Sequence, residues 1–434
     1  MSDIVTSRIF VDGEKGITAA KLNDITASSV IQPAFYTSKP TAGTADPTDI
    51  VLILKSGAYA QVPISTLGGS ATQAQIWSTR LRSFNSVGNC TFEVDQRNAG
   101  SPTANPASGT FLLDRWGLAK VGTMVFKCQQ SSAASGIVLP GTSFNISGNY
   151  LICTLTTQEV SLAAGDLWMF NQSIEGSLLR ELLSDVSSIS LLVASTVAPL
   201  KFSVAIRDTG PTTKSLVKLC TIPTANTWTL IQLPNLPVFP SGNLSISPGV
   251  AGYLLGISLA SGTTFTAPAA DTWQNGNFVA APGMDNFASK PVNSIFQVAF
   301  IQHEPGAVCS TLMDKPFTQN YDECLRYFCK SYSYGFATGA VTGAGRIPFL
   351  VPTGFTTSPV GPENFPKPMA KAPTVTAYSD ATGAINTCRD QNASADKTVS
   401  GISAHERKIY QLTLSAAATA GGFVTFHYTA DTGW

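Results

Sequence analysis

The chain has 434 residues, only 12% of them charged, and its 27 basic and 27 acidic side chains leave a formal net charge of zero. Phosphate backbones are bound by clustered basic surface, and composition offers none, so no nucleic-acid partner is expected. Two or three domains fit the length. So sparse a charge protects poorly against association and suits a protein that buries part of its surface in an assembly.

The opening Met-Ser-Asp-Ile-Val-Thr-Ser-Arg lacks an apolar h-region, so no signal peptide is expected. The longest apolar run, about 189–200, is interrupted by Ser and Thr and is far too short to span a bilayer, so no membrane insertion is expected either. The cysteines (Cys90, Cys128, Cys153, Cys220, Cys309, Cys324, Cys329, Cys388) form no C-x-x-C pair, and there are 3 histidines. Free, mostly buried thiols are therefore expected, with no metal site and no cofactor.

In chain order, residues 1–70 read as a small separate unit. It holds a turn at Phe10-Val-Asp-Gly, a short capped helix from Thr18, and a hairpin of 49–54 and 59–64 around Ser56-Gly57. A hinge at Gly68-Gly69-Ser70 leads into a linker helix over 71–84, where Trp77, Leu81 and Phe84 form one stripe. Short strands dominate 85–312. Those at 149–157 and 227–233 are amphipathic, and Phe202, Val204 and Ile206 alternate with Ser203, Ala205 and Arg207 as in a half-buried strand. Residues 295–301 (I-F-Q-V-A-F-I) are apolar on both faces and fit a central strand. Leu178, Leu179, Leu182 and Leu183 suggest a short helix or covering loop. The expectation for 85–312 is a β-sandwich of jelly-roll type.

A helix and a second β unit occupy 313–434. Asp314 is the expected N-cap, with Pro316 in the first turn. Phe317, Tyr321, Leu325 and Phe328 form the apolar stripe, and Asp322 stands four residues before Arg326 as an ion pair. Strands follow at 373–378, 409–414 and 423–428, the last two expected to pair across a turn at 416–422.

No nucleotide-binding loop, zinc-protease motif or nucleophile elbow is present. His303 and Glu304 are adjacent on a strand and point to opposite faces, so they do not converge as an acid/base pair. Paired carboxylates for glycoside cleavage would have to come from separate strands. Asp95, Asp114, Asp166, Glu175 and Asp271 lie nearest aromatic-rich segments, and none has a diagnostic context. Sugar binding asks for less: aromatic faces with a few amides and carboxylates. Trp116, Trp168, Trp228, Trp273 and Tyr253 supply rings, and Trp273-Gln-Asn-Gly-Asn is the most polar and loop-like context. The glycan-binding candidates are Trp273, Asn275, Asn277, Trp116 and Tyr253.

Several stretches in order carry a resemblance. Phe92-Glu-Val-Asp-Gln-Arg-Asn and Leu113-Asp-Arg-Trp are followed by Gln172-Ser-Ile-Glu-Gly, Phe202-Ser-Val-Ala-Ile-Arg and Ala225-Asn-Thr-Trp. Then come Gln302-His-Glu-Pro-Gly, Cys324-Leu-Arg-Tyr-Phe-Cys-Lys-Ser-Tyr, Phe365-Pro-Lys-Pro-Met with Ala372-Pro-Thr-Val-Thr, and Tyr428-Thr-Ala-Asp-Thr-Gly-Trp. Over 85–434 the chain resembles jelly-roll modules of tailed-phage fibre and receptor-binding proteins. His303 departs from the pattern, where an apolar residue is usual, and the segment from Ser184 to Val197 lacks the usual W-G-T-A. Residues 1–70 are similar to N-terminal virion-attachment units. The resemblance implies a carbohydrate-binding-module-like sandwich, a homotrimer, attachment to other virion proteins through 1–70, host surface polysaccharide as partner, and no conserved catalytic site. A virion protein assembled in the host cytoplasm is expected, its tail fibre presenting non-catalytic β domains. A structural head, neck or tail decoration fibre, a polysaccharide depolymerase and a surface adhesin are the alternatives.

Overall fold

The computed structural model describes residues 50–55, 58–63, 84–183, 186–209, 213–240, 244–352 and 363–434. The expected turn at Phe10, helix at Thr18, hinge at Gly68 and the linker helix up to residue 83 lie outside the described residues. The chain divides into two units, Met1–Thr72 and Gln73–Trp434. In the first, Ile50–Lys55 (β1) pairs antiparallel with Ala58–Pro63 (β2), the hairpin expected around Ser56-Gly57.

The second unit is mostly β. It begins with Phe111–Leu113 (β3), Trp116–Val121 (β4), Val125–Ser132 (β5), Ile137–Val138 (β6), Asn145–Ile146 (β7), Asn149–Thr157 (β8) and Leu167–Glu175 (β9). The single helical turn Gly176–Leu179 (α1) leads to Ser187–Ser195 (β10), Leu200–Asp208 (β11), Lys214–Ile222 (β12) and Thr229–Leu236 (β13). Ala251–Ser261 (β14), Trp273–Asn275 (β15) and Ile295–Pro305 (β16) complete this part.

These strands form two facing sheets, ordered β13-β10-β16-β8-β5 and β15-β12-β11-β14-β9-β4-β3. Side chains alternate along each strand, so Phe126, Leu151 and Cys153 from the first sheet meet Trp168, Phe170 and Phe202 from the second in one core. The rings interlock: Phe126 lies 4.3 Å from Trp168, and Phe202 stands edge-on to Phe296 at 5.2 Å. Each such pair adds about 0.5–1.5 kcal/mol beyond its buried area. The 295–301 run, apolar but for Gln297, sits in β16, the central strand of its sheet, as expected.

The β11 strand is not half-buried. Ala205 and Ser203 are as buried as Val204 and Ile206, because the segment after β14 folds back over the seven-stranded sheet. Ala267, Val279 and Ala281 pack there on Met169, Ala205 and Val217 in a separate apolar layer. Small residues at 205, 267 and 281 allow this third layer to approach. The five-stranded sheet keeps Lys127, Gln129, Tyr150, Ile152, Thr154 and Gln297 at least partly exposed on its outer face.

Helix α2 spans Phe317–Leu325 and begins later than Asp314 would have it. A residue before proline avoids the α region, so Lys315 cannot be helical, and extended Pro316 occupies the cap position. Asp314 instead accepts from the Ser147 amide at 3.1 Å. The stripe also stops short: Leu325 is buried, Phe317 is 43% exposed, and Phe328 lies beyond the helix in Phe328–Lys330 (β17). Asp322 pairs with Lys367, and Arg326 with Glu175, so the expected Asp322–Arg326 pair is absent.

The last part comprises Ile347–Leu350 (β18), Glu363–Asn364 (β19), Thr374–Tyr378 (β20), Thr387–Asp390 (β21), Ala395–His405 (β22), Lys408–Leu414 (β23) and Phe423–Asp431 (β24). The β24 strand is the hub, bonded to β17, β18, β20 and β21. The expected pairing of β23 with β24 does not occur. The β23 strand bonds to β22 and β19, while β24 has its neighbours elsewhere.

Candidate functional site

Residues from several of the motif stretches converge on a joint between the sandwich and the segment at the end of helix α2. Asp114 accepts from the Gln96 amide at 2.5 Å and from the Gln96 side chain, which also donates to the Phe328 carbonyl. Burial lifts the Asp114 carboxyl to about 7 against the opposing pull of Arg97 and the Gln96 amide. Arg97 lies between the Phe111 and Phe328 rings and pairs with Asp431. Arg115 stacks on the Tyr327 ring at 3.6 Å. Glu175, at the end of β9, accepts two bonds from Arg326, at 2.9 and 2.6 Å, one from Tyr327 at 2.7 Å and one from the Gly249 amide at 2.8 Å. Its burial favours the neutral acid, but these four donors outweigh that and hold the carboxyl down at about 2. With its acceptor capacity spent, this carboxylate fastens the helix to the sandwich.

Two of the ring candidates are core residues. Trp116 is fully buried, stacked on Phe92 at 5.2 Å, with its indole N–H donating to the Asn89 carbonyl. Tyr253 is equally buried, its hydroxyl bonded to His303 Nδ1 at 2.6 Å and Ser86 at 2.8 Å. Neither can offer a ring face to a sugar, because each points between the sheets. Trp168 is buried in the same way. Trp273, Asn275 and Asn277 do come together at the β15 edge of the seven-stranded sheet. Trp273 is half-buried, leaning on Phe239 at 5.4 Å with its N–H given to the Pro237 carbonyl. Asn275 is exposed, and the Asn277 side-chain oxygen accepts from Arg207.

His303 and Glu304 face apart as expected. His303 joins Tyr253 and Ser187 in the core, where burial alone pushes its imidazole down to about 3 and keeps it neutral. Glu304 accepts from the Ser310 amide and hydroxyl.

An aromatic pair on the open face of the five-stranded sheet meets the demands of sugar binding better. Trp228, just before β13, and Tyr150, on β8, are half-buried, as Trp273 is, with ring centroids 5.6 Å apart and planes at 73°. The Tyr150 hydroxyl accepts from Ser131 at 3.1 Å. The registers Ser131↔Tyr150, Gln129↔Ile152 and Gln297↔Ile152 set two amides and a hydroxyl on the same face. Glu304 is the one carboxylate in these five strands, and it is buried and bonded to Ser310. The platform can therefore stack and hydrogen-bond a sugar but has no acid/base pair of its own. Trp228 was recognisable as a candidate ring; its partnership with Tyr150, far away in sequence, was not.

Among the described residues, no group of three or more His, Cys, Asp or Glu is placed to hold a metal ion, and no helix is long and apolar enough to cross a membrane. The cysteines are free and, except for half-buried Cys309, buried.

No protein-family model and no curated protein matches the chain. Among solved structures it is similar to the enzymatically active domain of tailspike protein 4 from bacteriophage CBA120, at 13% identity and TM-score 0.27, covering 52% of this chain and 21% of that one. It is also similar to a family 11 carbohydrate-binding module from Clostridium thermocellum in complex with a mixed-linked β-1,3-1,4 tetrasaccharide, at 15% identity and TM-score 0.24, covering 48% and 98%. A third likeness is to the module TmCBM61 in complex with β-1,4-galactotriose, at 8% identity and TM-score 0.26, covering 51% and 98%. At such scores these likenesses carry no inference about activity.

Proposed function

We propose that this chain is a bacteriophage virion fibre of receptor-binding type that holds host surface glycan on the outer face of its five-stranded sheet without cleaving it. The observation that carries the glycan reading is the half-buried Trp228–Tyr150 pair, flanked by Gln129, Gln297 and Ser131 on strands whose one carboxylate, Glu304, is buried. Pyranose rings stack on such aromatic faces, and neighbouring amides select their hydroxyls. The fibre reading is supported by the ordered motifs between Phe92 and Trp434, several of which meet through Gln96, Arg97, Arg115, Glu175, Arg326 and Asp431. In this reading residues 1–70 attach the chain to the particle, three copies associate, and the β unit projects toward the host.

The test is co-sedimentation of purified protein with host cells and isolated host surface polysaccharide, with reducing ends assayed in parallel. Binding without release of reducing ends is expected. Release would make the protein a depolymerase, and absence of binding would make it a structural decoration fibre. A monomeric mass in solution would refute the trimer, and particles that fail to label with an antibody to this chain would refute the virion assignment.

A further inference from the structure

A cleft of about 390 Å³ opens where β20 and β24 run side by side next to the sandwich residue Arg97. The register Thr374↔Asp431 and Thr376↔Thr429 places four polar side chains in two cross-strand pairs. Ala377, Tyr428 and Ala430 alternate with them into the core, so the polar set shares the opposite face. Tyr378 closes the row, half-exposed, edge-on to Tyr332 at 6.1 Å and with its hydroxyl 3.5 Å from that of Thr429. Asp431 is held by Arg97 at 2.5 Å, and the guanidinium is clamped between the Phe328 and Phe111 rings at 3.9 and 4.1 Å. The two charges cancel, and what remains is hydroxyls, each able to donate and accept, beside one aromatic ring.

Groups of this kind suit a polyhydroxylated ring better than an anion, a cation or an apolar chain. We propose that this cleft is a second saccharide site, taking a neutral oligosaccharide with Tyr378 as the stacking ring and Thr374, Thr376 and Asp431 as hydroxyl partners. Arg97 is a positioning residue: it fixes the Asp431 carboxylate and the height of the cleft wall. The proposal rests on the glycan-binding reading for its class of ligand, yet the cleft shares no residue with the Trp228–Tyr150 platform. Two separate sites on one chain would let a fibre grip a repeating polymer at two points, raising avidity without any new contact.

The test is calorimetric titration of the full chain with the neutral oligosaccharide fraction released from host surface polysaccharide. Wild type, Trp228→Ala, and Trp228→Ala combined with Thr376→Val and Tyr378→Ala are compared after their circular dichroism is shown to coincide. Trp228→Ala is expected to retain one binding event per chain, and the combined variant to weaken it by about tenfold or more, the loss of one hydroxyl bond and one ring contact. Abolition of all binding by Trp228→Ala alone overturns the cleft, as does equal binding by Trp228→Ala and the combined variant, or no binding of this fraction by wild type. Failure of the platform reading looks different: Trp228→Ala would then bind as many ligands as wild type, while adding the cleft substitutions would still weaken that binding.

Discussion

Replacing Glu175 by Gln tests the joint at a buried, hydrogen-bonded charge. The carboxylate side chain is 2% exposed and is fixed by Arg326, Tyr327 and the Gly249 amide. Its fall from an ordinary 4.5 to about 2 corresponds, at about 1.36 kcal/mol per pH unit, to roughly 3 kcal/mol of stabilisation. The Arg326 side chain is 36% exposed, so solvent screening reduces this to about 2 kcal/mol. Because the folded-state value is depressed, the contribution is complete above the unfolded-state value near 4.5 and disappears as pH falls toward 2. Glu175→Gln keeps the shape but sets an amide N–H₂ against donors, so a loss of about 2 kcal/mol at pH 7 and a flatter acid limb between pH 5 and 2 are expected. Urea unfolding of both proteins across that range measures it. A loss below about 0.5 kcal/mol, or an unchanged acid limb, would refute the joint as an electrostatic fastening.

Further expectations concern the core. His303 is buried and neutral with its imidazole pushed down to about 3, so the unfolded chain binds a proton that the folded one refuses. Stability should therefore drop as pH falls from about 6.5 toward 3, and His303→Leu should flatten that slope in thermal melts at pH 7 and pH 5. A Cβ at Gly262 would stand 2.1 Å from the Ala163 carbonyl oxygen and 2.5 Å from that of Ala164, both rigid backbone. Gly262→Ala should thus cost about 1–3 kcal/mol by urea unfolding and loosen the layer over the seven-stranded sheet. Tyr327→Phe removes one of the bonds to Glu175 and should cost about 1 kcal/mol at pH 7 by the same measurement.

Strand periodicity made much of the β architecture legible. The 149–157 strand and the two-sided 295–301 run appear where alternation and apolar continuity place them. Partner choice was less legible, since β23 and β24 are both good strands yet bond to different neighbours. The burial of Ala205 depends on a distant segment folding back, and no local period announces that. The same holds for the rings. Trp116 and Tyr253 look like Trp228 in sequence, but the sheet face each occupies is decided by strand register. The motif residues were visible as a set, while the task of several of them, joining the sandwich to the end of helix α2 and to β17 and β24 through Arg97, Arg115, Glu175 and Arg326, emerges only from their contacts.

The most direct measurement is affinity electrophoresis through gels containing isolated host surface polysaccharide, comparing wild type with Trp228→Ala, Tyr150→Ala and Trp273→Ala. Retardation of wild type and Trp273→Ala, with faster migration of the Trp228 and Tyr150 variants, is the predicted result. Equal retardation of all four proteins, or a loss confined to Trp273→Ala, would contradict the platform on the five-stranded sheet.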